Sequence, residues 1–136
     1  MQGPSPENSH RKRILLVDDD ATNRLLFTDF LSRHGYQLMA LPDGTTLLEE
    51  LERFQPDLLL LDVGLPYING LELLHRIRAV PRWQQLPVIV MSTCTFWQEH
   101  DQVLGAGVKN YLVKPIRLTI LVDLVQKLIF QNQESP

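Results

Sequence analysis

Leu58-Leu59-Leu60-Leu61-Asp62-Val63-Gly64-Leu65-Pro66 is the stretch on which the reading of this chain turns. Four consecutive leucines, bounded by Pro56 behind and by Gly64 and Pro66 ahead, are too short for an independent helix. They fit a strand buried on both faces, as the strands of parallel sheets are. Asp62 stands at the carboxyl end of that strand, where the apolar run stops. In open α/β sheets this edge is where ligands bind. A carboxylate there also has a plainer use, which is to end the strand and bond the following turn.

Outward from this strand the pattern alternates. Ile14-Leu15-Leu16-Val17 is another short apolar run, and it ends in Asp18-Asp19-Asp20. From about Thr22 to Arg33, Leu26, Phe27, Phe30 and Leu31 recur at helical spacing, with His34-Gly35 as the stop. Tyr36 to Leu41 reads as a strand closed by the turn residues Pro42-Asp43-Gly44. The next helix places Leu47, Leu48, Leu51 and Phe54 on one stripe, with Glu49, Glu50, Glu52 and Arg53 facing away. Beyond Asp62, a loop through Tyr67-Ile68-Asn69-Gly70 leads to a helix carrying Leu71, Leu73, Leu74 and Ile77, which Pro81 ends.

Pro87 opens a strand from Val88 to Met91 that stops at Ser92-Thr93. The fourth helical segment, roughly Phe96 to Ala106, has a thin apolar stripe and an internal Gly105, and is the weakest helix of the chain. Tyr111-Leu112-Val113 is the fifth strand, followed at once by Lys114-Pro115. The last helix presents Ile116, Ile120, Leu121, Leu124, Val125, Leu128 and Ile129 as one stripe. Five strands alternating with five helices imply right-handed crossovers and a doubly wound parallel sheet with helices on both faces. Residues 1–12, which open with the Pro-, Ser- and Asn-rich MQGPSPENSH, read as a disordered tail, 13–131 as one domain and 132–136 as a polar tail.

Bulk properties set further bounds. A chain of 136 residues is long enough for one well-buried core, and 44% hydrophobic with 21% charged residues is an ordinary soluble composition. A net charge of -3 leaves no overall footprint for nucleic acid, and His10-Arg11-Lys12-Arg13 reads as a solvated strand entry. Cys94 is the only cysteine, so no internal disulfide forms and a reducing compartment fits. No apolar stretch approaches membrane-spanning length and no signal peptide is visible, so a cytoplasmic protein is expected.

Polar groups follow the strands directly: Asp18 and Asp19, Asp62, Ser92 and Lys114. Each has a plain explanation singly, such as capping of a helix N-terminus by the aspartates. In a parallel sheet, however, all these ends lie on one edge and the groups converge. Clustered carboxylates repel unless a cation joins them, and a few hard oxygen ligands suit Mg²⁺. The lysine offers a charge to a phosphoryl oxygen and the serine a hydrogen bond. This is equipment for phosphoryl transfer, in which a carboxylate can be the nucleophile and form an acyl phosphate.

The chain resembles the receiver domain of two-component response regulators, from about Arg13 to Gln131. The resemblance rests on Leu-Val-Asp-Asp-Asp (16–20), Leu-Leu-Asp-Val-Gly-Leu-Pro (60–66) with Asn69-Gly70, Val-Met-Ser-Thr (90–93), Tyr-Leu-Val-Lys-Pro (111–115) and the Gly105-Ala106-Gly107 turn. It implies a flavodoxin-like five-stranded sheet of order 2-1-3-4-5. It implies that Asp62 accepts phosphate from a phosphohistidine on a sensor histidine kinase or phosphotransfer protein. Asp18, Asp19 and Asp62 would hold Mg²⁺ with the backbone carbonyl of Gly64, and Lys114 would bind a phosphate oxygen. Ser92 would move toward the phosphate and let Tyr111 turn inward, remodelling the face of the fourth helix, fifth strand and last helix for a downstream protein. Such a chain is no enzyme beyond catalysing its own phosphorylation and dephosphorylation. Contact with nucleic acid or membrane is not expected, and whether phosphorylation drives homodimerisation is left open.

Three positions depart from the commonest family pattern: Gly64, Thr93 and Cys94. Gly64 usually carries a larger side chain, and its absence would leave an acyl phosphate open to water. Thr93 replaces a smaller residue and would crowd an entering phosphodonor. Cys94 lies where residues tend to tune phosphate lifetime, and otherwise reads as a packed thiol. Two rivals remain beside the phosphoacceptor. One is a receiver-like interaction module that works without phosphate. The other is a Mg²⁺-dependent phosphohydrolase, which would want an acid where Gly64 stands and room for a substrate cap. A nucleotide binder fails, because three aspartates replace the Gly-rich turn it needs after the first strand. With no output segment after the last helix, the chain is expected to be a stand-alone regulator or part of a longer one. In the former case it would act through the face bearing Trp97 and Tyr111.

Overall fold

The leucine run forms β3 (Leu58–Asp62), and every one of its residues is buried. The computed structural model describes residues 11–64, 70–93 and 110–134. In it β3 is the central strand of a five-stranded sheet of order β2-β1-β3-β4-β5. Its companions are β1 (Arg13–Val17), β2 (Gln37–Leu41), β4 (Val88–Ser92) and β5 (Asn110–Val113), and every pairing is parallel. The expected order is therefore observed.

The two-residue period of the strand divides its leucines between two cores. Leu59 and Leu61, with Leu15, Val17, Val88 and Val90, pack against α2 (Leu47–Phe54) and α3 (Gly70–Arg78). Leu58 and Leu60, with Ile14, Leu16, Ile89 and Met91, pack against α1 (Ala21–Arg33) and the C-terminal helix (Leu118–Glu134). Helices thus cover both faces, which is why the strand carries no alternating polar residues. Each fully buried leucine contributes about 1.5–3 kcal/mol, so burial on both faces fixes this strand in the centre.

Local signals end the elements as their chemistry requires. Asp20 caps α1, its carboxylate accepting from the N–H groups of Thr22 and Asn23. Gln55 closes α2 in the left-handed region at φ 55°. α3 stops at Arg78, and Pro81 opens a short 3-10 turn (Pro81–Trp83) where a plain stop was expected. The Arg78 guanidinium ties that turn to the entry of β4 by donating to the oxygens of Trp83, Gln84 and Leu86.

The helical stripes are narrower than the hydropathy pattern. Leu26 and Ile120 are 46% and 47% exposed, whereas Val122 is buried. The buried rows run at four-residue steps, Phe27 and Leu31 on α1, then Leu121, Val125 and Ile129 on the C-terminal helix. Leu26 and Ile120 lie on the flanks of these rows. The C-terminal helix starts at Leu118, after Ile116, and runs to Glu134, past the expected end of the domain at Gln131. The expected fourth helical segment, Cys94, Trp97, Asn69 and the Gly105-Ala106-Gly107 turn lie outside the described residues. Among the described residues, no helix is long and apolar enough to cross a membrane.

The close approach of α3 to the end of β3 demands glycine. A Cβ on Gly70 would lie 2.4 Å from the Val63 Cα and 2.9 Å from the Asp62 carbonyl oxygen. Backbone cannot give way as a side-chain tip can. Gly70→Ala is expected to destabilise the protein by about 1–3 kcal/mol, read as a lower urea midpoint with unchanged slope.

Candidate functional site

Strand register brings the polar ends together. Val17 pairs with Leu61, Asp62 with Met91 and Ser92 with Val113, so the residues that follow or end these strands share one edge. Asp18, just past β1, is fully buried, and Asp62 and Ser92 are 5% and 3% exposed. Asp62 keeps the plain role expected of it. Its Oδ1 accepts from the Gly64 N–H at 2.8 Å, which closes the turn after β3. The other oxygen is free of that duty and faces Lys114.

Lys114 joins the strand ends. Its Nζ donates to Asp18 Oδ2 and Asp62 Oδ2, each at 2.9 Å. The lysine is placed by the backbone as well, its N–H donating to the Ser92 oxygen at 2.8 Å. The peptide between Lys114 and Pro115 is cis. Asp18 is held further by the Asp20 N–H, which donates to its Oδ1 at 2.9 Å.

The aspartate triplet divides its labour. Asp20 turns to the helix as its cap, while Asp18 and Asp19 turn to the sheet edge. Oxygens of Asp18, Asp19 and Asp62 all lie within 4.8 Å of one another. Lys114 supplies one positive charge against three negative ones, and among the described residues the Asp19 carboxylate has no hydrogen bond or ion pair. Three hard anionic oxygens with an excess of negative charge suit a small divalent cation such as Mg²⁺. The donor set fits that ion.

Around this centre, Gly64 is exposed and a Cβ there would lie 3.5 Å from Asp62 Oδ1, an ordinary contact. Thr93, also exposed, lines a cleft of about 340 Å³ with Asn23, Leu26 and Phe27 of α1 and with Lys114 and Ile116. The cleft opens beside the lysine. Tyr111 on β5 is half-buried and packs against the core of α2 and α3. The sequence reading overlooked Arg24, whose Nη1 donates to the main-chain oxygen of Asp18 at 2.8 Å. Its position four residues after the capping Asp20, one turn into α1, was the available signal.

Comparison with known proteins agrees with this geometry. The family model for the response regulator receiver domain matches residues 14–126. An uncharacterised 14.6 kDa protein of Leptolyngbya boryana is 35% identical over 84% of this chain and 87% of its own length. The DNA-binding response regulator MtrA of Mycobacterium tuberculosis is 34% identical over 93% of this chain, which spans only 54% of MtrA. Among solved structures, a CheY-like receiver domain protein from Methanospirillum hungatei superposes with a TM-score of 0.83 at 27% identity, over 92% of this chain and 99% of that one.

Burial alone would lower the Lys114 pKa, but its hydrogen bonds to Asp18 and Asp62, and their charges, outweigh this and hold it above the ordinary 10.5. A group whose pKa rises on folding stabilises the fold in full below its unfolded pKa and loses that contribution as pH climbs through the folded one. The difference in urea midpoint between the wild type and Lys114→Met is therefore expected to stay constant across neutral pH. It closes only as pH rises past 10.5.

Proposed function

The chain belongs to the response regulator receiver domain family, and on that premise we propose that Asp62 accepts a phosphoryl group from a phosphohistidine of a sensor kinase or phosphotransfer protein. The observation that carries this reading is Lys114 Nζ, held at 2.9 Å from oxygens of both Asp18 and Asp62 at the carboxyl edge of the sheet. A strand-terminal carboxylate that only closed a turn would need no such cation.

In the proposed transfer, an Asp62 oxygen attacks phosphorus in line with the departing imidazole nitrogen. The P–N bond breaks with its electron pair staying on the ring, which takes up a proton, and the new P–O bond makes an acyl phosphate. Mg²⁺ held by Asp18, Asp19, Asp62 and the Gly64 carbonyl would neutralise charge on the phosphoryl oxygens. Lys114 already faces the acceptor oxygen and would bind a phosphoryl oxygen through its ammonium. The Ser92 hydroxyl, at the buried end of β4, gives that group a hydrogen bond. Because the Ser92 carbonyl is bonded to the Lys114 N–H, movement of one strand end is felt by the other.

The signal then leaves through β5. Tyr111 pairs in register with Val90, two residues before Ser92, and turning it inward would remodel the surface of the fifth strand and last helix. Val113 and Ile120, 40% and 47% exposed, supply apolar surface on β5 and the C-terminal helix for a downstream protein. The chain turns over no external substrate beyond its own phosphorylation and dephosphorylation.

Incubated with acetyl phosphate and Mg²⁺, the protein is expected to gain the mass of one phosphoryl group. Asp62→Asn, or omission of Mg²⁺, should abolish the gain. No gain and no trapping by beryllium fluoride would give the lead to a phosphate-independent interaction module. The second expectation concerns Gly64, whose missing side chain would leave an acyl phosphate on Asp62 open to water. Gly64→Met should slow loss of the phosphoryl group severalfold in a decay assay, and an unchanged rate would remove Gly64 from this role.

A further inference from the structure

One cation at this edge has no part in the transfer just described. Arg24 is half-buried on α1, and its guanidinium reaches back over the β1–α1 turn to the Asp18 oxygen at 2.8 Å. That oxygen lies past the last pair of the β1–β3 ladder, Val17 with Leu61, so the sheet offers it no partner. Asp18 is bonded at each of its other polar atoms. Its N–H donates to the Leu41 oxygen at 3.1 Å, Oδ1 accepts from the Asp20 N–H and Oδ2 from Lys114.

Asp19 is the opposite case. Its side chain is exposed and, among the described residues, has no hydrogen bond or ion pair, yet an oxygen of it lies within 4.8 Å of Asp18 and Asp62 oxygens. What aims Asp19 is its backbone. The peptide before it carries the oxygen that Arg24 holds, and the peptide after it carries the N–H that Asp18 Oδ1 holds. Both peptide groups flanking Asp19 are thus tied, and Arg24 supplies the first tie.

We propose that Arg24 is a positioning residue for the cation site: by holding the peptide between Asp18 and Asp19, it aims the Asp19 carboxylate at the space it shares with Asp18 and Asp62. The inference rests on the cation-dependent function proposed above. It has a sign that separates it from simple electrostatics. A guanidinium acting only as a nearby positive charge repels Mg²⁺, so its removal would tighten binding. A guanidinium that positions a ligand has the reverse effect, because groups that orient metal ligands typically cost about 10–100-fold in affinity when removed.

The test is calorimetric titration of the whole chain with Mg²⁺, alongside urea unfolding without the ion. Arg24→Met is expected to raise the Mg²⁺ dissociation constant about tenfold. Arg24→Lys, which keeps a charged donor, should recover most of the loss. In an Asp19→Asn background, Arg24→Met should have little further effect, since the two act through one ligand. Affinity that is unchanged or tighter in Arg24→Met, or a full additional loss in the Asp19→Asn background, would overturn the proposal. Should Arg24→Met fail to fold, Arg24→Gln removes the same charge and is read by the same sign. A wild-type chain with no affinity for Mg²⁺ would overturn the cation-dependent function itself, and this inference with it.

Discussion

Everything at the carboxyl edge of this sheet answers to the repulsion among Asp18, Asp19 and Asp62, whose oxygens lie within 4.8 Å of one another. Two unit charges about 4 Å apart interact by about 4 kcal/mol at the effective dielectric near a protein surface. Lys114, paired at 2.9 Å with Asp18 and with Asp62, offsets much of this, yet it brings one positive charge to three negative ones. The lysine therefore holds the cluster together without neutralising it. A site left with surplus negative charge and built of hard oxygens suits a small divalent cation.

Such a cluster survives only on a scaffold that cannot relax away from it. The scaffold is β3 and its neighbours. Leu58 and Leu60 belong to one core and Leu59 and Leu61 to the other, so the strand cannot rotate or slip without exposing leucines on either side. Asp62 inherits that rigidity as the last residue of the strand. Gly70 adds to it from outside, because the missing Cβ lets α3 press on the backbone of Asp62 and Val63. The low-energy position of the carboxylate is thus set by apolar burial on both faces.

This is also why so much of the fold and site was legible in the residues themselves. Runs such as Ile14 to Val17 and Leu58 to Leu61 are too short for helices and too apolar for exposed strands, so a parallel sheet was nearly forced, and with it a common edge for Asp18, Asp62, Ser92 and Lys114. What resisted reading has physical causes. Hydropathy marks a stripe but not its width, so Leu26 and Ile120 were assigned to buried faces from which they emerge. Trp83, buried in a 3-10 turn, belongs to no period. Arg24 reads as a solvated helix residue until the turn of β1 into α1 brings the Asp18 oxygen to its guanidinium.

The plain and the chemical readings of each acid were framed as alternatives, and the geometry makes them partners. Asp62 closes its turn through Oδ1 and meets Lys114 through Oδ2. Asp18 steadies the Asp20 N–H with one oxygen and meets the same lysine with the other. A carboxylate has two oxygens, and each buried acid here gives one to a structural bond and turns the other to Lys114. That division explains how groups so costly to bury can be held still: the structural bond fixes the rotamer, and the fixed rotamer aims the second oxygen. Asp19 lacks such a bond of its own, so its aim must come from the backbone on either side of it. The weakest point of the cluster is for that reason the residue most exposed to water, and the bonds that matter for it are those of its neighbours.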